Sequence, residues 1–336
     1  MNLKMIKKMR KMKMKHTHIL LTPALAFMVS SCAGEVIVQE PLSGGKALQV
    51  RSVELPEPSA TRIQGATATQ LTEIGVYATD HEHAALASNA KSVFKLQSET
   101  WSSDTPPAIL SEESAPSRLY AFSPSGLSVT NGAGGNHHTV PVQVVADNFS
   151  ASRQTDYLYA DPNTAWASSR AVIFTMNHAL AKVSFRILKS DHVQETVTLK
   201  KIELVSGTSR LQWGNNGVMN LTNGALNGLA STNSITLEGS TVLNTTQSQP
   251  NVTALVAPMP ATETRLSFRL TVDVAEADGT STEQRSFETA TVNEVQWKAG
   301  YHYVYAITVD KMGGSLTNIQ IDAWKNDANQ NTGIGI

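Results

Sequence analysis

Leu266-Ser267-Phe268-Arg269-Leu270-Thr271-Val272-Asp273-Val274 alternates without a break for nine residues. Every even position is large and apolar; the odd positions hold Ser, Arg, Thr and Asp. Successive side chains of a strand point to opposite faces, so this stretch is a strand with one face in a core. Asp278-Gly279 follows, a pair that suits a hairpin turn, and Arg285 to Val292 runs back. Further on, Tyr301-His302-Tyr303-Val304-Tyr305-Ala306-Ile307-Thr308-Val309 repeats the pattern with large apolar odd positions. Met312-Gly313-Gly314 then turns the chain, and Leu316 to Trp324 forms a last strand.

Working upstream, the same chemistry recurs. Ala171-Val172-Ile173-Phe174-Thr175 and Ala181-Lys182-Val183-Ser184-Phe185-Arg186-Ile187 alternate, as do Val197-Thr198-Leu199 and Ile202-Glu203-Leu204. Ile74 to Ala78, Ser92 to Leu96, Arg118 to Phe122 and Val140 to Val144 are short branched or aromatic runs bounded by Gly, Pro, Asn or Ser. Asn131 to Asn136 is a Gly/Asn loop, and Ser150 to Ser169 is polar and loop-like. Near the start, Leu48 and Val50 alternate in one register and Val53 and Leu55 in the other, the pattern of a strand with a bulge or of an extended linker. Many short strands between turn signals predict an all-β chain of β-sandwiches. No βαβ alternation occurs, which argues against a parallel sheet, and no repeat of fixed period is present.

Cys32 is the only cysteine in 336 residues. Seven basic residues from Lys4 to Lys15 precede it, followed by an eleven-residue apolar run, Ile19 to Val29. That run is too short for a spanning helix, which needs about 20 apolar residues, but it suits a cleaved signal. Val29-Ser30-Ser31-Cys32 resembles a bacterial lipobox, in which the thiol takes a diacylglycerol and Cys32 becomes the first residue. Its alternatives are a nucleic-acid arm for the lysines and an ordinary cleavage site for Cys32. Seven of the 27 basic residues leave with the leader, and 20 then face 28 acids, net −8. That charge argues against nucleic acid as a partner. Without disulfides, stability must come from apolar cores, and some 300 residues can build two.

Catalytic constellations are absent from the sequence. No Gly-x-Ser-x-Gly, phosphate loop or His-Glu-x-x-His occurs, so the chain is expected to be no enzyme and to hold no cofactor. His81-Glu82-His83 and His137-His138 lack a third ligand nearby, which favours solvated loop histidines over a metal site. The five tryptophans, Trp101, Trp166, Trp213, Trp297 and Trp324, read as core residues, with stacking on sugars as the alternative. Arg62 lies in Ser59-Ala60-Thr61-Arg62-Ile63-Gln64-Gly65, small and polar surroundings that suit proteolysis.

One ordered set of segments comprises the lipobox at Cys32, Thr61-Arg62 before Ile74-Gly75-Val76-Tyr77, Leu119-Tyr120-Ala121-Phe122-Ser123-Pro124 and Asp156-Tyr157-Leu158-Tyr159-Ala160. Phe174 to Val183, Trp297 to Tyr303 and Ile319 to Trp324 complete it. This set resembles the fimbrillin or Mfa-like family of Bacteroidetes fimbrial subunits. The resemblance implies two tandem transthyretin-like Greek-key β-sandwiches. The segments would be a signal peptide over 1–31, a tether or propeptide with a removable first strand over 32–62, an N-terminal sandwich over 63–170, and a C-terminal sandwich over 171–336. It implies an outer-membrane lipoprotein precursor, anchored through Cys32, whose tether and first strand an arginine-specific protease removes. The cut would follow Arg62 and leave Ile63 first; Arg51 is the weaker candidate because it lies within the strand pattern.

A strand from a neighbouring subunit would then fill the groove, with Leu316, Ile319 and Ile321 as plugs. The partners implied are other fimbrial subunits, the outer membrane through Cys32, and a host or bacterial surface ligand. The polar tail after Trp324 is a poor donor; a C-terminal strand that closes its own domain would instead suit a tip, an anchor or a non-polymerising subunit. The competing reading is a surface lipoprotein that binds glycans or host ligands.

Overall fold

The computed structural model describes residues 47–55, 71–86, 90–109, 115–132, 137–276, 281–311 and 313–323. Cys32, Arg62, Ile63, the Asp278-Gly279 turn and the tail from Trp324 lie outside the described residues. Within them the chain is all-β, with one turn of 3-10 helix at Ala151–Arg153. The strands of the first half are β1 (Gln49–Glu54), β2 (Glu73–Thr79), β3 (Lys91–Gln97), β4 (Thr100–Ser102), β5 (Ser117–Ser123), β6 (Thr130–Asn131), β7 (His138–Val144), β8 (Leu158–Ala160), β9 (Asn163–Ala165) and β10 (Ala171–His178). The second half adds β11 (Ala181–Lys189), β12 (Thr196–Ser206), β13 (Leu211–Asn220), β14 (Leu226–Asn227), β15 (Ala230–Thr232), β16 (Ser234–Val242), β17 (Val252–Val256), β18 (Leu266–Ala275), β19 (Thr282–Glu288), β20 (Tyr301–Asp310) and β21 (Gly313–Ala323).

These strands make four sheets. The largest runs β1-β10-β8-β5-β2-β3-β4, with β9 also on β5; a second runs β14-β13-β7-β6, with β15 also on β13. Both faces of the largest sheet are covered. Ile74, Val76 and Ala78 point to a core shared with Leu119, Val172 and Phe174. Tyr77, Tyr120 and Phe122 point the other way, onto Val140, Val142 and Met219 of the second sheet. This explains the continuous apolar run of β2, since a strand buried on both faces has no need to alternate. Gly75 belongs to that packing: a Cβ there would lie 2.5 Å from the Phe122 ring.

The other two sheets, β17-β11-β20-β21 and β16-β12-β18-β19, enclose one core. At its centre Phe185, Phe268 and Tyr305 pack ring on ring at 4.6–5.6 Å. The fully buried Trp297 donates its indole N–H to the Tyr305 hydroxyl at 2.9 Å. The nine-residue alternation at Leu266 is β18, paired on both sides by β12 and β19.

Two pairs are parallel, β1 with β10 and β11 with β20; every other named strand pair is antiparallel. Each parallel pair joins strands far apart in sequence, so neither needs a local crossover helix. The expected division at 170/171 does not coincide with a change of sheet. Ala171–His178 completes the first sheet, Ala181 opens the third, and β13 returns from the second half to pair with β7.

Candidate strand-exchange site

The first strand occupies a slot at the rim of the largest sheet. Its sequence breaks phase after Val50, and the pairing breaks there too: Val50 faces Val172, while Ser52 faces Ile173. Arg51 is the extra residue of this bulge and is exposed, so the chain can bury Leu48 and Val50 first and Val53 and Leu55 next. Leu48 and Val50 keep 3% and 5% of their surface. Fully burying such a side chain is worth roughly 1.5–3 kcal/mol. Val172 and Phe174 of β10 flank the slot, and Leu86 and Ile109, from loops, belong to the same core.

The backbone anchors of β1 are few. Five residue pairs join it to β10. Gln49 N donates to Arg170 O at 3.0 Å, and Leu48 N to Pro107 O at 2.9 Å. An isolated bridge from Ala47 to Ala108 touches the far rim. Thr175 Oγ1 donates to Glu54 Oε2 at 3.2 Å. In the sheet, three strands (β10, β8 and β5) separate β1 from β2, its successor in sequence. The connection between them contains Arg62 and Ile63, outside the described residues.

The last strand is held differently. β21 pairs with β20 from Gly313 to Ala323, with Thr317 bulged between Leu316 and Asn318. Ile319, 5% exposed, lies opposite Tyr305 and plugs the C-terminal core; Ile321 is half-buried opposite Tyr303. Leu316 pairs with Ile307 through its backbone. The three residues singled out as donor plugs thus sit on a strand folded against its own sheet.

One side of the C-terminal sandwich is sealed and the other is open. On the β16/β17 side, Glu238 N donates to Asp147 O, Phe149 N to Glu238 O and Thr253 N to Phe149 O. Gln154 completes the seal: its Nε2 donates to Leu255 O at 2.7 Å, and Leu255 N donates to its Oε1 at 2.8 Å. This is how a fold covers edges that would otherwise recruit another chain. The β19/β21 side has a cleft of ≈ 360 Å³ floored by Val193, Val197, Val272, Val274 and Phe287. Its charged rim includes Lys311 bound to Glu195 at 3.4 Å and Arg285 bound to Glu283 at 2.7 Å.

Other singled-out residues fall into place. Among the described residues no group of three or more His, Cys, Asp or Glu is placed to hold a metal ion. One member of each histidine pair, His83 and His138, nevertheless comes together. The rings of His83 and His138 are 6.3 Å apart. His138 is no solvated loop residue: it is 1% exposed and packed between Tyr77 and Tyr120. Burial, then the neighbouring His83 and His137, push its pKa down. Farther along, His302 Nε2 lies 2.8 Å from Ser184 Oγ, and burial with nearby Lys182 lowers its pKa to about 3. Trp101 and Trp297 are core residues, whereas Trp213 is 41% exposed.

A fimbrillin-like family profile matches residues 61–324, which takes in every strand from β2 to β21. A solved fimbrial protein from Bacteroides vulgatus ATCC 8482 superposes with a TM-score of 0.55 at 12% identity, covering 75% of this chain and 93% of that one. A structure described as a cell adhesion protein, from Bacteroides ovatus ATCC 8483, gives 0.53 at 18% identity, over 84% and 98%. No curated protein matches this chain. At such identities the solved structures speak for the fold, while the profile spans most of the sequence; the chain belongs to the fimbrillin-like family.

Proposed function

We propose that this chain is a non-enzymatic subunit of a cell-surface fimbria, contributing to adhesion and assembled by strand exchange. It is delivered to the outer membrane as a lipoprotein through Cys32. A cut after Arg62 detaches the tether and β1 and leaves Ile63 as the new N-terminus. A strand from a neighbouring subunit then fills the slot.

The observation that carries this reading is the place of β1: a rim strand with two buried plugs, few anchors, and a successor separated from it by three strands. Its loss leaves the backbone of β10 unpaired beside an apolar slot, which matches a new strand in both hydrogen bonding and shape. A main-chain hydrogen bond contributes only about 1 kcal/mol net, so the plugs supply much of the grip. Donation from one copy to the next is heterologous and builds a filament rather than a closed dimer. The two tandem sandwiches expected of the family are transthyretin-like Greek keys on this reading.

A second position in the filament is favoured by β21. Its full pairing with β20 and the buried Ile319 suit a subunit that accepts a strand without giving one, as a tip or an anchor would. N-terminal sequencing of purified surface filaments tests both. A mature start at Ile63 supports a strand-accepting subunit; a retained, lipidated Cys32 identifies an anchor. Absence of the chain from filaments overturns the fimbrial reading. Arg62→Ala should block maturation while leaving export intact; normal processing in that variant rejects Arg62 as the cut site.

A further inference from the structure

Residues 211–237 carry no Asp, Glu, Lys or Arg, in a chain that is 16% charged. They form β13, β14, β15 and the start of β16. Six asparagines and one glutamine lie among them. From this uncharged segment Trp213 protrudes, 41% exposed. Across the ladder it faces only Ala230, so no large neighbour covers it from β15. Next to it Gly214 has φ +141°, and a Cβ there would meet nothing nearer than Ala230 N at 3.9 Å. Asn215 and Asn216 follow as an exposed bulge against β7, where the pairing jumps from Gly214 to Gly217.

The polar groups here divide into two sets. Asn220, Asn223 and Asn233 use their side chains to hold turns: they accept from Thr222 N, Ala225 N and Ser209 Oγ. Asn215, Asn216 and Asn227 make no such bond to another described residue, and all three are exposed. Each free carboxamide offers two donors and an acceptor. An exposed indole followed by the uncommitted carboxamides of Asn215 and Asn216, with Asn227 across the ladder beyond them and no charged residue in the segment, complements a ligand with an apolar face and neutral hydroxyls around its rim. A sugar ring has that form: its axial C–H bonds stack on the aromatic face while its hydroxyls both donate and accept. A peptide strand is less well served, since β13 is already paired on both edges, by β7 and by β14 and β15.

We propose that Trp213, with Asn215, Asn216 and Asn227, forms a binding platform for a neutral saccharide. This goes beyond assembly, because the platform lies on β13–β15 and the strand slot on β1 and β10. The test uses the purified full chain, titrated with mannan, a linear β-glucan and arabinogalactan, with alginate and heparin as anionic controls. Intrinsic fluorescence and calorimetry read the binding. At least one neutral polysaccharide should bind, and 1 M NaCl should leave that binding unchanged, because screening acts only on charge. Trp213→Ala should weaken it at least tenfold at an unchanged melting temperature. Trp213→Phe should retain part of it, and Asn215→Ala with Asn216→Ala should weaken it several-fold. Binding of no neutral polysaccharide, equal binding by Trp213→Ala, or salt-sensitive binding of the anionic polymers alone overturns the proposal. So does a loss of self-association in Trp213→Ala, seen by sedimentation, without loss of saccharide. Filament assembly in Trp213→Ala reports separately on the fimbrial reading.

Discussion

The first and last strands of this fold are both rim strands, yet they are held in opposite ways. β1 pairs in parallel with a strand more than a hundred residues away, over six residues with a bulge. β21 pairs antiparallel with its immediate predecessor over eleven residues. A hairpin forms from local contacts at small entropic cost, whereas β1 is held only after its partner sheet exists. β1 buries Leu48 and Val50 and β21 buries Ile319, so burial does not make β1 the weaker of the two. What separates them is the direction, length and sequence range of their pairing. On the strand-exchange reading, loss of β1 bares Val172 and Phe174 of β10, and loss of β21 would bare the edge of β20 beside Tyr303 and Tyr305.

This contrast can be broken most sharply at Ile319. Ile319→Ala removes a buried plug from the core enclosed by the last two sheets. It should cost about 2–5 kcal/mol and lower the global denaturation midpoint. A midpoint equal to wild type would mean that β21 opens on its own and would erase the distinction. Leu48→Ala deletes a similar volume from β1, but the effect should be local. Proteolysis and amide exchange of residues 47–55 should accelerate while the global midpoint moves little, as for a region that opens below the global free energy. A full shift of the midpoint would show β1 to be integral to the cooperative unit.

Acid should act on the second region more than on the first. Burial holds His302 at about 3 in the fold, below the ordinary histidine value. A depressed folded pKa means stability is complete above about 6.5 and is lost as pH falls toward 3, by at most about 1.4 kcal/mol per unit. His302 lies on β20, beside β21, and residues 47–55 contain no histidine. His302→Gln should therefore flatten the acid limb of the C-terminal melt. An unchanged limb would assign that sensitivity elsewhere, to His83 and His138 in the first instance, since burial lowers both. The smallest effect is expected at Lys311→Ala, which breaks the exposed ion pair with Glu195 at the β20–β21 turn. Solvent screens such a pair, so β21 should stay in place by amide exchange.

Much of the fold was legible because alternation is a local signal. Every long alternating run became a strand, and its phase breaks were legible as well. The shift from Val50 to Val53 is the bulge at Arg51, and the shift from Leu199 to Ile202 is a bulge at Lys200 within a single strand, β12. What escaped is equally specific. Gln212 to Asn220 contains Gly214, Asn215, Asn216 and Gly217, residues that read as loop, yet pairing with β7 on one side and β14 and β15 on the other makes it strand. Leu158, placed in a polar loop, starts β8 because β5 and β10 flank it. His138, read as solvated, is buried because Tyr77 and Tyr120 close over it from other strands.

The all-β class, the run of strands and the alternation that sends Leu48, Val50 and Ile319 inward follow from residues near one another in the chain, since the pleat imposes its period on any sequence. Which strand lies beside which is set by contacts over long separations that no local pattern encodes. The parallel seating of β1 on β10, the return of β13 to β7, the seal of Asp147 to Gln154 over β16 and β17, and the exposure of Trp213 all belong to that second kind. Each depends on which apolar faces are left to cover one another once the sheets meet.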